Sequence, residues 1–259
     1  MIEGLARLLD ITGAGLAGLA LVFVRVGAVA ALLPGFGESM IPARVKLAAA
    51  VAFTLIVAPL VAPDLLAIDP GRPFFLLMLV EAGAGLLIGL AVRFLVLALQ
   101  LAGSIAAQST AVAQIFGAGA TPDPMPAIGN LLTLAGLALA VSADLHVKAA
   151  LALARSYEVL PVGAALPAAD VLAWGAGRVA AAFALGFSLA APFVIAGFAY
   201  NLALGAINRA MPQLMVAFVG APAITFGGIL ILLLASPAIL GFWSGRLDAT
   251  LADPLGPAR

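Results

Sequence analysis

An all-α integral membrane protein is the fold class this sequence predicts, on three observations. Of its 259 residues, 64% are hydrophobic and only 9% charged, and the mean hydropathy is +1.22. A water-soluble domain cannot bury that share of apolar surface. The apolar residues also fall in continuous runs, long enough or nearly long enough to cross about 30 Å of hydrocarbon. Finally, these runs are rich in Ala, Leu and Gly and lack the period-two alternation of a barrel strand. Backbone in lipid must satisfy its own N–H and C=O groups, so the spans are helical.

The pattern gives about six hydrophobic helical segments: Ile11–Leu33, Val45–Val61, Phe74–Gln108, Ile128–Leu153, Val171–Leu204 and Met215–Phe242. Glu3, Arg7 and Asp10 precede the first. A secretory signal has a positive start and a shorter apolar core, so Ile11–Leu33 reads as a retained helix. Pro34, Gly35 and Gly37 stop it, Ser39 is a candidate N-cap, and Pro42 sits near the start of the next helix. Asp69–Pro70–Gly71 is a turn signal after the second segment.

The third segment is about 50 Å long at 1.5 Å per residue, so it must tilt, kink or project beyond the lipid. It carries Glu81, Arg93, Gln100 and Ser104. At about 100° per residue, Arg93, Gln100 and Ser104 fall within roughly 20–40° of one another. Gly85 and Gly89 flank the same face. One reading is close helix packing with Gln and Ser bonding to neighbours. The other is a face turned to a watery or protein-lined lumen. The stripe leads into Gln108–Asn130, a long connection with one charge, Asp123, that is otherwise rich in Gly, Ala, Pro and apolar residues.

Pro59, Pro192 and Pro237 are expected to kink or end their helices. Gly85–Gly89 and Ala182–Gly186–Ala190 offer small-residue faces for contact with partner subunits. The tail after Trp243 is more polar and is expected to fray. The sparse cations favour a cytoplasmic side for the Arg44/Lys46 and Arg209 loops.

No enzymatic chemistry is implied. The single histidine, His146, gives no metal set, since zinc needs three or four ligands. No GxSxG, HExxH or P-loop pattern is present. No cofactor is implied. With zero net charge and no basic tail, nothing points to nucleic acid, and zero Cys excludes disulfides. Glu81 is the only carboxylate deep in an apolar run, and Arg25 lies deep in the first segment. Buried charge is costly unless paired, so the two are expected to pair across helices.

Three stretches together resemble the FliR family of bacterial flagellar export-gate proteins. The first is "VRVGAVAALLPGFGESMIPARVKLAAAVAFTLIVAP", with Arg25, Pro34, Pro42, Arg44, Val45 and Lys46. The second is "DLHVKAALALARSYEVLPVG", with His146, Ser156, Tyr157, Leu160 and Pro161. The third is "LGAINRAMPQLMVAFVGAPA", with Asn208, Arg209, Pro212 and Gln213, followed by Gly220 and Pro222. The resemblance implies one subunit of a type III export gate in the bacterial inner membrane, at the flagellar basal body. Its helical hairpins would assemble with FliP-like and FliQ-like subunits around a secretion pore for unfolded proteins, alongside FlhB-like and FlhA-like components. It further implies a FliP-like part over about 1–170 and a FliQ-like part over about 171–259. The counterpart of the family's pore plug is about Ala111–Pro126, where Ile115, Phe116, Gly117, Gly119 and Met125 would close the channel. An injectisome homologue, a secondary transporter and a non-transporting membrane scaffold are the competing readings. The in-span charges fit a transporter, but paired interrupted helices and a clear internal repeat are missing from the sequence.

Overall fold

The structure is a computed structural model, and it describes residues 2–38, 40–61, 71–110, 127–211 and 216–256, with side chains from residue 15 and, in the last stretch, from 222. The described residues form helices α1 (Ile2–Leu32), α2 (Ala43–Val57), α3 (Phe74–Ser109), α4 (Ala127–Ser142), α5 (Leu145–Val159), α6 (Ala168–Ala210) and α7 (Val216–Ala252). Four of them contain apolar stretches long enough to cross a membrane: Gly15–Leu32, Phe74–Ser109, Ala168–Ala210 and Pro222–Ala252.

Two of the six expected segments take a different form. α2 has 15 residues, about 22 Å of helix, too short to span alone. It stops at Val57, just ahead of Pro59, and Val57–Val61 closes in turns. The fourth segment is not one helix. It breaks after Ser142 and resumes as α5, a bent pair with the form of a broken span or a re-entrant loop. The break sits at Asp144, whose φ of 59° is left-handed. Asp tolerates that conformation better than most residues. The Asp144 carbonyl then accepts from the N–H groups of Val147 and Lys148, which starts the new helix. Because Asp144 is exposed, its conformation can be tested without disturbing packing. Asp144→Val should cost about 1–2 kcal/mol, while Asp144→Gly should be near neutral, as thermal unfolding in detergent would register. Equal stability of the two variants would remove the conformational argument.

The other two prolines do not end their helices. Pro192 lies inside α6, and Pro222 and Pro237 inside α7. Pro192 and Pro237 are exposed. Leu233, whose carbonyl loses its partner to Pro237, accepts instead from the Ser236 hydroxyl at 3.4 Å. Local side-chain bonds of this kind let membrane helices carry proline.

The chain divides into two compact units that interleave along the sequence. The first comprises Met1–Arg93, Ala143–Arg178 and Asp248–Arg259; the second comprises Phe94–Ser142 and Val179–Leu247. In the first, Val22, Val26 and Val29 of α1 meet Phe53 and Val57 of α2, Ile88 of α3, and Leu153 and Tyr157 of α5. Phe36 packs edge-on to Phe53 at 5.7 Å. The second unit is organised around α3. A Cβ on Gly103 would run into the backbone of Gly129, so α3 and α4 touch backbone to backbone there. Trp243 of α7 is fully buried and donates from its indole N–H to the Leu95 carbonyl at 2.8 Å.

Candidate functional site

The buried charges of the first unit meet in one cluster. α1 supplies Arg25 and α3 supplies Glu81, both 0% exposed. Arg25 Nε donates to Glu81 Oε2 at 2.7 Å and Nη2 to Oε1 at 3.0 Å, a two-pronged pair. The remaining nitrogen, Nη1, donates to the Ser156 hydroxyl at 3.2 Å and the Leu160 carbonyl at 3.0 Å. The Tyr157 ring lies against the guanidinium face, 3.8 Å from Cζ to the ring centroid. Glu81 Oε1 accepts a further bond from the Gly163 backbone N–H at 2.9 Å.

Local sequence explains why these groups converge. Ser156, Tyr157 and Leu160 lie at the end of α5, where the chain leaves the helix through Pro161 and turns at Gly163, φ 72°. That left-handed turn points the Gly163 N–H at Glu81, while its carbonyl accepts from Arg72 Nη1 at 2.6 Å. Gly85 lies one turn beyond Glu81 on α3. A Cβ there would collide with the Arg25 carbonyl oxygen and come within 2.8 Å of the Ala28 Cβ. Glycine at 85 therefore sets the α1–α3 spacing that lets Arg25 and Glu81 reach each other. A pair this buried withstands desolvation only with good geometry and with its remaining donors and acceptors bonded. Those conditions are met here, and the cluster ties α1, α3 and the α5–α6 turn together.

A second arrangement holds the α1–α2 connection. Glu38 pairs with Arg93 of α3 at 2.7 Å, both about 30% exposed. Lys46 Nζ donates to the Gly37 carbonyl at 3.1 Å. Pro34 is buried beneath this connection, whereas Pro42 is exposed and immediately precedes α2.

The stripe expected on the third segment resolves residue by residue. Arg93 is engaged with Glu38, the Ser104 hydroxyl donates to the Gln100 carbonyl at 2.9 Å, and Gln100 and Ser104 are both half-buried. Of the small residues assigned to partner contact, Gly85, Gly89, Gly186 and Ala190 are packed within the chain. Gly85 and Gly89 lie against α1, at Arg25/Ala28 and at Leu32 respectively. Gly186 lies against Ala98 and Leu101 of α3, and Ala190 is fully buried. Helices of one chain already use the close approach that small residues permit.

Arg44, His146, Pro161, Asn208 and Arg209 are exposed. Pro212 and Gln213 lie outside the described residues, as do Ser39 and the stretch holding Ile115, Phe116, Gly117, Gly119 and Met125. Arg72, Gly163 and Arg178 carry geometry that no site reading from sequence named. The Leu-Pro-x-Gly turn after α5 was the available signal for Gly163. The tail does not simply fray: α7 continues to Ala252, and Arg178 Nη2 donates to the Pro254 and Gly256 carbonyls at 2.9 Å.

An all-helical membrane chain whose first and second sequence motifs meet at a buried ion pair belongs to a definite class. The chain matches the family described as bacterial export proteins, family 1, over residues 16–250. It is similar to the flagellar biosynthetic protein FliR of Caulobacter vibrioides, with 34% identity over 236 residues, 88% of this chain and 91% of that protein. It is also similar to the FliR proteins of Bacillus subtilis (29%, covering 78% of this chain and 79% of that protein) and Escherichia coli (28%, 85% and 84%). The chain belongs to the FliR family.

Proposed function

We propose that this chain is a membrane subunit of the flagellar type III export gate and contributes part of the pore through which unfolded flagellar proteins leave the cell. The observation that carries the reading is the match to bacterial export proteins, family 1, over 16–250, a span that includes all three sequence motifs. Supporting it, motif residue Arg25 donates to Ser156 and Leu160, more than a hundred positions away in sequence, with the Tyr157 ring against its guanidinium. The role is that of a conduit and scaffold, without catalysis. Its partners are FliP-like and FliQ-like subunits with FlhB-like and FlhA-like components, in the inner membrane at the flagellar base. The FliP-like part is about 1–170 and the FliQ-like part about 171–259. Co-purification tests the assignment: the tagged chain should leave the membrane in a large complex with small FliP-like and FliQ-like proteins. A chain that purifies alone and binds a small solute would sink it.

The pore needs closure, and the reading assigns that to Ala111–Pro126. A stretch with one charge has little need of bulk water, and its glycines let it be displaced. Shortening it should leave the assembly intact and raise ion conductance through the resting pore. Phe116→Ala should leak slightly and Phe116→Asp more, because a charge wets an apolar constriction. Planar-bilayer conductance and growth in high salt both report the leak. A shortened variant that assembles and stays ion-tight would make this stretch ordinary packing.

A further inference from the structure

The second unit has two kinds of open surface. Along α6 and α7 it is apolar, with Phe187, Phe198, Leu233 and Leu234 all exposed, the surface a lipid-facing helix presents. Along α3 it is not. Beyond Arg93, Val96, Leu99, Ala102 and Ala106 are buried. Every polar residue of that part of the helix, Gln100, Ser104, Gln108 and Ser109, is half-buried or exposed. Ser104 and Ser109 donate their protons to the carbonyls of Gln100 and Ile105. Neither glutamine amide has a hydrogen-bond partner among the described residues. An amide turned to hydrocarbon without a partner is costly, so these side chains face something that hydrogen-bonds.

Spacing narrows what it is. Gln100, Ser104 and Gln108 recur every four residues, about 6 Å apart along the helix axis. In an extended chain, backbone groups on one side recur every second residue, about 6.6 Å apart. From Gln100 to Gln108 the two repeats drift by only about 1 Å, well within the swing of a glutamine side chain. A helix from another subunit keeps its backbone bonds to itself and presents only side chains, so it offers no such repeat.

The chemistry agrees. A neutral amide both donates and accepts, and the Ser104 oxygen can still accept, so the row can bond peptide groups whatever side chains they carry. The described residues of this unit hold only two charges, Arg209 and Arg246, and neither is on α3. The row therefore selects neither acidic nor basic segments.

We propose that Gln100, Ser104 and Gln108 form a track that holds the backbone of an extended polypeptide in transit. This rests on the export reading above and names the substrate surface within it: peptide groups bound in sequence-independent fashion along about 12 Å of α3.

Photo-crosslinking in cells tests the track. The crosslinking residue replaces Leu97, exposed on the same side of α3, or Leu233 on the apolar side of α7. The cargo is an exported flagellar protein fused to a domain that cannot unfold, which arrests it in transit. Position 97 should capture the arrested cargo, and position 233 should not. Export rates give the second readout. Gln100→Leu with Gln108→Leu should assemble as the wild type does and export about ten-fold more slowly, the scale of two neutral hydrogen bonds. Gln108→Lys should pass acidic cargo segments faster than basic ones, Gln108→Glu should reverse that order, and the wild type should treat both alike. The track is overturned if position 97 captures only another gate subunit or lipid, or if the double leucine variant exports at the wild-type rate. It is overturned too if the charged variants do not sort cargo. Each of those results, in an assembled complex, leaves the export reading standing. A chain found in no complex with other membrane subunits would sink both.

Discussion

Glu81→Gln should destabilise the first unit by about 3–5 kcal/mol, the usual cost of leaving one member of a buried ion pair alone. Glutamine keeps the shape of the side chain and an acceptor for the Gly163 N–H, so the loss is of charge. Arg25 would remain 0% exposed with neutral acceptors only, the glutamine amide oxygen, the Ser156 hydroxyl and the Leu160 carbonyl, beside the Tyr157 ring. Membrane proteins hold modest net stability, and a loss of this size should strip most folded chain from the membrane. Arg25→Gln in the same chain removes the stranded charge and should recover part of the loss. Ser156→Ala should cost only about 1 kcal/mol, since it removes a single bond to a group that keeps others. Membrane abundance and thermal unfolding in detergent measure these three and the Arg25→Gln single mutant. A double mutant no better than the worse single mutant would show that the charges do not act as a pair.

The sequence made this cluster partly legible. Arg25 and Glu81 were the deep opposite charges of two apolar runs, and electrostatics alone demanded that they pair. The Gly163 N–H and Arg72 could not be read the same way. Each joins through a turn whose direction depends on where α5 ends, and hydropathy carries no signal for direction. The break at Asp144 was hidden for a related reason. Ser142–Ala143–Asp144 interrupts an apolar run too briefly to change its average, so a bent pair and a straight span have the same profile. Pro192 and Pro237 were expected to kink or end their helices, and both helices continue through them, each losing one backbone hydrogen bond. Arg178 escaped notice because it is one cation at the start of a long apolar run, and its carbonyl partners come from a tail whose composition suggested fraying.

Gly85→Ala should destabilise the first unit by about 1–3 kcal/mol, and Gly85→Leu by more. The reasoning turns on what each glycine faces. In the middle of a helix, replacing Gly by Ala ordinarily gains about 1 kcal/mol, because the glycine backbone has more freedom to lose. Gly27 on α1 has no atom within 4 Å of its would-be Cβ, so Gly27→Ala should show that gain. Gly85 has backbone beneath it: the Arg25 carbonyl oxygen is in collision range, and the Arg25 carbonyl carbon is 3.1 Å away. Backbone in the middle of α1 cannot swing aside as the end of a side chain can. The added methyl must push α1 and α3 apart, and that lengthens the Arg25–Glu81 bonds formed one turn away. Gly89→Ala should cost less than Gly85→Ala, because its nearest neighbours are Leu32 side-chain atoms, from 2.8 Å outward. The expected order of unfolding temperature is therefore Gly27→Ala above wild type, then Gly89→Ala, then Gly85→Ala. Combining Gly85→Ala with Glu81→Gln should cost less than the sum of the two, since the first already weakens what the second removes. If Gly85→Ala unfolds at or above the wild-type temperature, close contact at that glycine is not what sets the spacing of the ion pair.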